Sequence, residues 1–316
     1  MDDTPSFRLP DGAENGLAQS PPVPLTVRGH TFRWGSRTHL MGIVNVTPDS
    51  FSGDGLLPAG GRDRGEEEGP MVQAAVDQGR RMADEGADIL DVGGESSRPG
   101  HAPVGTAEEL RRVVPVVRAL RAALPETPIS IDTIKRDVAE AALDAGADMI
   151  NDVWGVGSEA DMARVAAERG VPYVLMHNRA EPRYANLMME ILAELQASLQ
   201  RAIRLGVDPE RIMIDPGFGF GKTPDHNLHL LAHLRDLRLL GRPILLGTSR
   251  KSTIGKVLDL TADQRLEGTL ATTALAAQAG VDMVRIHDVA PNQRTARMVD
   301  AITRPGGIGP DGWRPA

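Results

Sequence analysis

The 316-residue chain contains no cysteine. Disulfides and thiolate nucleophiles are excluded, and a reducing, cytoplasmic setting fits. Aromatic residues make up only 3% of the sequence against 41% hydrophobic residues in all. The core must therefore be built from Val, Ile, Leu, Met and Ala, side chains that suit parallel strands buried on both faces. No apolar run approaches the ~20 residues of a membrane span. Positive charge is not in excess either: 43 acidic residues outnumber 35 basic ones, for a net charge of −8. A general nucleic-acid binder needs a basic face to neutralise phosphates. Neither nucleic acid nor a membrane is an expected partner. A small anionic substrate remains open, since a few local cations can hold one.

The opening stretch, MDDTPSFRLPDGAENGLAQSPPVP, has no basic region followed by an apolar one, so it is not a signal peptide. Its Pro, Gly, Asp and Ser content predicts a disordered N-terminal tail over residues 1–27, and PGGIGPDGWRPA predicts a second tail over 305–316. Between them, over 28–304, a short aliphatic run, a polar or glycine-rich turn and a helical stretch recur. The runs are HLMGIVNV (39–46), ADILDVG (87–93), PISID (128–132), ADMINDV (147–153), VPYVLMH (171–177), RIMID (211–215), PILLG (243–247) and VDMVRIH (281–287). Segments such as TAEELRRVVPVVRAL carry helical spacing of apolar residues, and several close with glycine before the next run, as in EGAD, DAGAD, ERGVP and QAGVD. Glycine there fits the left-handed position that ends a helix.

Strand alternating with helix implies parallel pairing, and eight such units imply a closed barrel. An open doubly wound sheet would need a G-x-G-x-x-G fingerprint after the first strand, and that pattern is absent there. The expected fold is a single-domain (β/α)8 TIM barrel, which locates chemistry at the carboxyl ends of the strands. The sequence is polar at those ends: Asn45, Asp91, Asp132, Asn151–Asp152, His177–Asn178, Asp215, Ser249–Lys251, and Arg285 with His287 and Asp288. Any one of these carboxylates alone reads equally well as the cap of the next helix. Together they favour a polar ligand site, because buried polar groups are costly unless they are paired.

The blocks NVTPDSFS (45–52), DVGGESSRPG (91–100), SIDT (130–133), ND (151–152), DPGFGFGK (215–222), GTSRKS (247–252) and RIHDV (285–289) resemble, in order, the signature blocks of the dihydropteroate synthase family of pterin-binding enzymes. The resemblance spans about residues 38–300. It implies a (β/α)8 barrel in which the amine of p-aminobenzoate displaces diphosphate from 6-hydroxymethyl-7,8-dihydropterin diphosphate, giving 7,8-dihydropteroate. It also implies Mg²⁺, a homodimer formed through barrel helices, and a target of sulfonamides.

Roles follow from the same resemblance. Asp215 accepts the paired N–H donors of the pterin's amino-pyrimidinone edge. Asn151 donates and accepts through its amide, Lys251 reaches the pterin carbonyl, and Asp132 contacts the pterin and stabilises positive charge on it as diphosphate leaves. Asp132, Lys251 and Asp215 are thus the expected catalytic residues. Arg285 and His287 lie two apart on one strand and so share a face. They bind the diphosphate together with Ser97 and Arg98, while Asn45 holds it with Mg²⁺, an ion that takes few protein ligands and uses substrate phosphates for others. Ser97, Pro99, Phe220 and Ser249 form the p-aminobenzoate pocket. No side-chain nucleophile is required, which agrees with the missing cysteine and the lack of a Ser-His-Asp triad.

Two features depart from the family pattern. Ser97 stands where the family commonly has Thr, which keeps the hydroxyl and loses a methyl. The first loop is lengthened by LLPAGGRDRGEEEGP (56–70), whose glutamate run reads as a solvated face or helix lead-in. Rival readings are a corrinoid-type pterin-binding methyltransferase barrel, a non-catalytic pterin-binding paralogue, and a Schiff-base aldolase using Lys251. The first has no use for a diphosphate pocket. The second would have lost Asn45, Lys251 or Arg285. The third needs a desolvated lysine of depressed pKa.

Overall fold

The computed structural model describes residues 21–47, 68–95, 103–155 and 161–304. Two short antiparallel strands, β1 (Leu25–Val27) and β2 (His30–Phe32), come first. Then follow β3 (His39–Asn45), α1 (Glu68–Asp84), β4 (Ile89–Gly93), α2 (Thr106–Ala123), β5 (Ile129–Asp132), α3 (Arg136–Ala145), β6 (Met149–Asp152), α4 (Asp161–Arg169) and β7 (Tyr173–Met176). The chain continues through α5 (Leu187–Arg204), β8 (Ile212–Asp215), α6 (Pro224–Ala232), β9 (Leu245–Leu246), α7 (Ser252–Leu258), α8 (Leu266–Ala279), β10 (Met283–Ile286) and α9 (Val289–Thr303). Strands β3 to β10 form one eight-stranded parallel sheet in the order β8-β7-β6-β5-β4-β3-β10-β9. A parallel bridge between Ile214 and Ile244, with the Ile214 N–H donating to the Pro243 carbonyl at 2.9 Å, joins the two ends into a barrel.

Each of the eight predicted runs contains one barrel strand. The four glycines expected to end helices, Gly86, Gly146, Gly170 and Gly280, all have positive φ. The expected tail boundary at residue 27 is corrected, because it cuts through a hairpin. Leu25 and Val27 are buried, and Arg28–Gly29 (φ 48° and 76°) form the two-residue turn into β2. Residues 1–20 and 305–316 lie outside the described residues, as does the lengthened first loop up to residue 67. The last glutamate of its run, Glu68, opens α1.

Strand side chains alternate between two cores. One alternate set, with Leu40, Val44, Leu90, Val92, Ile129, Ile131 and Ile214 among it, packs outward against the helices. The other set fills the barrel floor: Met41, Ile89, Met149, Val174, Met213, Leu245 and Met283 pack with Leu25, Val27, Phe32 and Trp34 of the hairpin segment. The hairpin is thus a plug on the amino-terminal end of the barrel. Three carboxylates stitch that end together. Asp88 accepts from the Leu40 N–H at 2.9 Å, Asp148 from Ile129 at 2.9 Å and Asp282 from Ile244 at 3.0 Å. Each lies just before one strand and satisfies an amide at the start of the neighbouring strand, a donor that would otherwise be buried without a partner. Among the described residues, no helix is long and apolar enough to cross a membrane.

The plug depends on Phe32, which is fully buried and stacks on Trp34 at 5.5 Å. Phe32→Ala is expected to destabilise the fold by about 3–5 kcal/mol. The check is a denaturant melt, in which the midpoint should fall with the slope unchanged.

Candidate active site

The lumen positions that are apolar at the floor turn polar at the carboxyl end. Two residues beyond Met41, Ile89, Met149, Met213 and Met283, the strands carry Ile43, Asp91, Asn151, Asp215 and Arg285. Asn45, Asp132 and His287 extend the same faces to the rim. At the centre sits Arg285. Its Nε donates to Asp91 Oδ2 at 2.6 Å and its Nη2 to Asp132 Oδ2 at 2.7 Å. Asn151 Nδ2 donates to the same Asp91 oxygen at 3.1 Å. Asp91 Oδ1 and the Ser130 hydroxyl are buried without a hydrogen-bond partner. Burial, with like charge from Asp91, Glu109 and Asp152 adding to it, pushes the Asp132 carboxyl up to about 7 against the pull of Arg285. When both carboxylates are ionised they share one guanidinium, and this part of the mouth then favours an added positive charge.

Asp215 and the loop behind it form the second wall. Asp215 Oδ1 accepts from the Gly217 N–H at 2.7 Å, so the turn holds the carboxylate in place. Burial raises the Asp215 carboxyl, while Lys251, the Gly217 N–H, Lys222 and Arg285 oppose the rise. Gly217 has φ +68°, and a Cβ there would stand 1.8 Å from the His177 carbonyl oxygen, so only glycine fits. Gly219 donates to Asn227 Oδ1 at 2.8 Å, and Thr223 caps α6 where the loop ends. Lys251 Nζ donates to the Phe218 carbonyl and lies 4.5 Å over the Phe220 ring. Phe220 is half-buried on the rim, and Phe218 is fully buried beneath it. Ser249 Oγ accepts from the His287 backbone N–H at 3.1 Å and lies 2.9 Å from His287 Nδ1, linking β9's end to β10's.

The expected residues Asn45, Asp132, Asn151, Asp215, Phe220, Ser249, Lys251, Arg285 and His287 all come to this end of the barrel. Ser97, Arg98 and Pro99 lie outside the described residues. The reading of every polar strand end as part of one mouth is corrected at three places. Asp152 faces outward and accepts from the Tyr173 hydroxyl at 2.6 Å and from the Trp154 and Gly155 N–H groups. His177 faces α5, with Nε2 3.0 Å from Glu194. Asp288 holds Arg250 by two bonds, at 3.0 and 2.6 Å, which turns Arg250 away from Lys251's side.

Other residues were not picked out by sequence. Lys222 Nζ donates to the carbonyls of Gly217 (3.0 Å) and Phe220 (3.1 Å) and to His177 Nδ1 (3.0 Å). A carboxylate can only accept, so His177 donates from Nε2 to Glu194 and receives from Lys222 at Nδ1. Burial brings His177 down to about 4, in keeping with a neutral ring. Beside the second loop, Lys135 joins Glu95 to the fully buried Glu109, whose other oxygen accepts from the Thr133 hydroxyl at 2.7 Å. Glu95 also accepts from the Val104 N–H at 3.1 Å, bracing the two sides of residues 96–102. The signal for Lys222 was its place at the end of DPGFGFGK. No local pattern marks Lys135, which meets its partners from 40 and 26 residues away.

Among known proteins, the family model described as pterin binding enzyme matches residues 41–287. The chain belongs to that family. The dihydropteroate synthase of Clostridium beijerinckii is 48% identical over 274 residues, 86% of this chain and 97% of that one. Among solved structures, the dihydropteroate synthase of Clostridium difficile in the presence of pteroic acid is 48% identical, with a TM-score of 0.79 over 86% of this chain and 99% of that one. The Xanthomonas albilineans dihydropteroate synthase with 4-aminobenzoic acid is 42% identical, with a TM-score of 0.79 over 90% and 98%. The family's barrel is the one described above.

Lys222 supplies a pH test. Burial, aided by Lys251 and Arg179, brings its ammonium down to about 7, with Asp215 and Glu194 opposing. An unfolded lysine keeps its proton to about 10.4. Between these values the unfolded chain binds more protons at this site, so its contribution makes stability rise with pH. The stability of wild type relative to Lys222→Met should therefore improve from pH 7 to pH 10 and level off below 7. Parallel unfolding curves for the two proteins across that range would contradict the assignment.

Proposed function

We propose that the protein is a dihydropteroate synthase, a transferase that condenses 6-hydroxymethyl-7,8-dihydropterin diphosphate with p-aminobenzoate to give 7,8-dihydropteroate and diphosphate. The observation that carries the reading is the lumen cluster of Arg285, Asp91 and Asp132 beside Asp215 and Lys251. It combines acceptors for a pterin edge with cations for an anionic leaving group. A pterin-binding methyl transfer has no use for such cations, which disfavours that alternative.

Asp215, Asn151, Asp132 and Lys251 would hold the pterin. Asp215 accepts its paired N–H donors, and Lys251 reaches its carbonyl from above Phe220. The diphosphate would lie toward Arg285 and His287, with Asn45, Ser97 and Arg98 contributing. The Nη1 group of Arg285 is engaged by none of the described residues, which suits it to a phosphate oxygen. Departure of diphosphate leaves positive charge on the pterin's exocyclic carbon. Asp132 and Asp91, sharing one guanidinium, offset that charge until the amine attacks. Phe220, Ser249, Ser97 and Pro99 would position p-aminobenzoate, and a sulfonamide would compete with it there. No enzyme nucleophile enters the reaction; positioning and electrostatics perform it.

The residues fit Mg²⁺. Asn45 is half-buried at the rim, and its amide makes no hydrogen bond among the described residues. Its oxygen is a hard donor of the kind the ion takes, with substrate phosphates and water completing the shell. When bound, Mg²⁺ would neutralise charge on the departing diphosphate. A cytoplasmic homodimer is part of the same proposal. Exposed Leu275 on α8, and Met298 and Ile302 on α9, offer apolar surface for the contact, and light scattering reads its mass.

The decisive assay supplies both substrates with Mg²⁺ and measures dihydropteroate and diphosphate in equal amounts. Folded protein that binds the pterin substrate but produces neither would refute the proposal. Arg285→Ala and Lys251→Ala are each expected to lower kcat ~10²-fold or more with the fold intact. Chelation by EDTA should stop turnover and added Mg²⁺ restore it; turnover that persists in EDTA removes the metal from the scheme.

A further inference from the structure

At the opposite end of the barrel, His30, His39 and Asp88 each bring one ligand atom within 4.8 Å of the others. His30 lies on β2, His39 opens β3 and Asp88 just precedes β4, so the three join the hairpin plug to two barrel strands. His30 Nε2 is 3.2 Å from Asp88 Oδ1, and His39 Nδ1 is 3.6 Å from Asp88 Oδ2. Each imidazole thus meets one oxygen of the Asp88 carboxylate at a separation near the ~3.3–3.4 Å between donors of a tetrahedral ion with bonds of ~2.0–2.1 Å.

His39 is the side chain that points to a ligand. It is 2% exposed, and neither of its ring nitrogens has a hydrogen-bond partner. Buried polar groups in that condition are rare and costly. Phe32 and Trp34 meet the ring edge-on at 5.1 and 5.6 Å, so packing fixes its orientation while leaving both nitrogens without a hydrogen bond, Nδ1 just out of reach of Asp88 at 3.6 Å.

We propose that His30, His39 and Asp88 form a binding site for a first-row transition-metal dication of the zinc, cobalt or nickel class, which ties the β1–β2 hairpin to the barrel floor. Two imidazoles and one carboxylate suit such ions, whereas Mg²⁺ takes oxygen donors. The site is thus chemically distinct from the magnesium proposed at the mouth and lies at the other end of the strands. Three protein ligands leave one position for water, which reaches it beside the partly exposed His30.

Arg37 is the competitor. Its Nη1 donates to Asp88 Oδ2 at 3.0 Å and its Nη2 to Oδ1, while the Leu40 N–H also holds Oδ2. Asp88 cannot serve the guanidinium fully and a dication at once. The Arg37 side chain is 38% exposed and can turn into solvent when the metal arrives.

The test uses tag-free protein carrying His229→Ala and His233→Ala, because those two imidazoles stack at 4.1 Å on the surface and would bind metal themselves. Titration with Co²⁺ should show one equivalent bound with visible d–d absorption, and Zn²⁺ should raise the Tm by mass action. In this background His30→Ala is expected to weaken Co²⁺ binding about tenfold or more, and Arg37→Ala to tighten it by a similar factor. Both side chains are more than one-third exposed, so both variants should fold. Dihydropteroate synthesis, measured with Mg²⁺, should be unchanged in either. Absent Co²⁺ absorption, an affinity indifferent to His30→Ala, or weaker binding in Arg37→Ala would each overturn the proposal. The last result would mean that Arg37 supports whatever site binds the ion and does not compete for Asp88.

Discussion

The mouth of the barrel is organised by one buried ion cluster, Arg285 held between Asp91 and Asp132. A guanidinium in a barrel lumen loses its hydration and is tolerated only with carboxylates and good geometry around it. The cluster spans three strands, β10, β4 and β5, that a barrel places around one lumen. Asp91 also accepts from Asn151 on β6, so four strands join one polar centre, and with β3, which carries Asn45 at the rim, they make five consecutive strands of the sheet order. With both carboxylates ionised, one guanidinium serves two of them and the centre retains negative potential, which would suit the cationic pterin of the proposed reaction.

The two ends of the barrel use the same residue types for opposite purposes. At the amino end, Asp88, Asp148 and Asp282 each satisfy a neighbouring strand's amide, and Arg37, Arg121 and Arg304 pair with carboxylates at the same end. At the carboxyl end, Asp91 Oδ1 and the Ser130 hydroxyl lack partners. Satisfied groups hold a floor together, whereas unsatisfied ones aimed into a lumen are available to a ligand. The floor has its own unsatisfied groups, Trp34 Nε1, Arg304 Nη1 and both ring nitrogens of His39, and among them only the His39 nitrogens stand beside a second imidazole and a carboxylate.

The loop after β8 shows how backbone and side-chain constraints combine. Gly217 must pass under the His177 carbonyl, and Lys222 fastens the loop's carbonyls from behind. Asp215 and Phe220 are therefore presented from a braced turn, which suits a site that works by positioning. The brace itself rests on His177 and Glu194, side chains that face the helical layer and never reach the lumen.

Much of this was legible in the amino-acid sequence, for a physical reason. Parallel strands buried on both faces must be aliphatic throughout, and helices must end on residues that tolerate positive φ, so eight strands and four glycine stops could be read directly. Ordered motif blocks carried the family and most of the mouth. The hairpin leaves little local signal because its strands are three residues long and its turn puts Arg28, not Asn or Asp, at positive φ before Gly29. By itself the sequence determined the number of barrel strands, the barrel and the residue types at each strand end, since these follow from local periodicity. Only the tertiary structure decided which of those ends face the lumen. Asn151 and Asp152 are neighbours in sequence, yet one meets Asp91 in the lumen and the other Tyr173 outside it. That choice depends on strand register and on partners dozens of residues away, which no local pattern records.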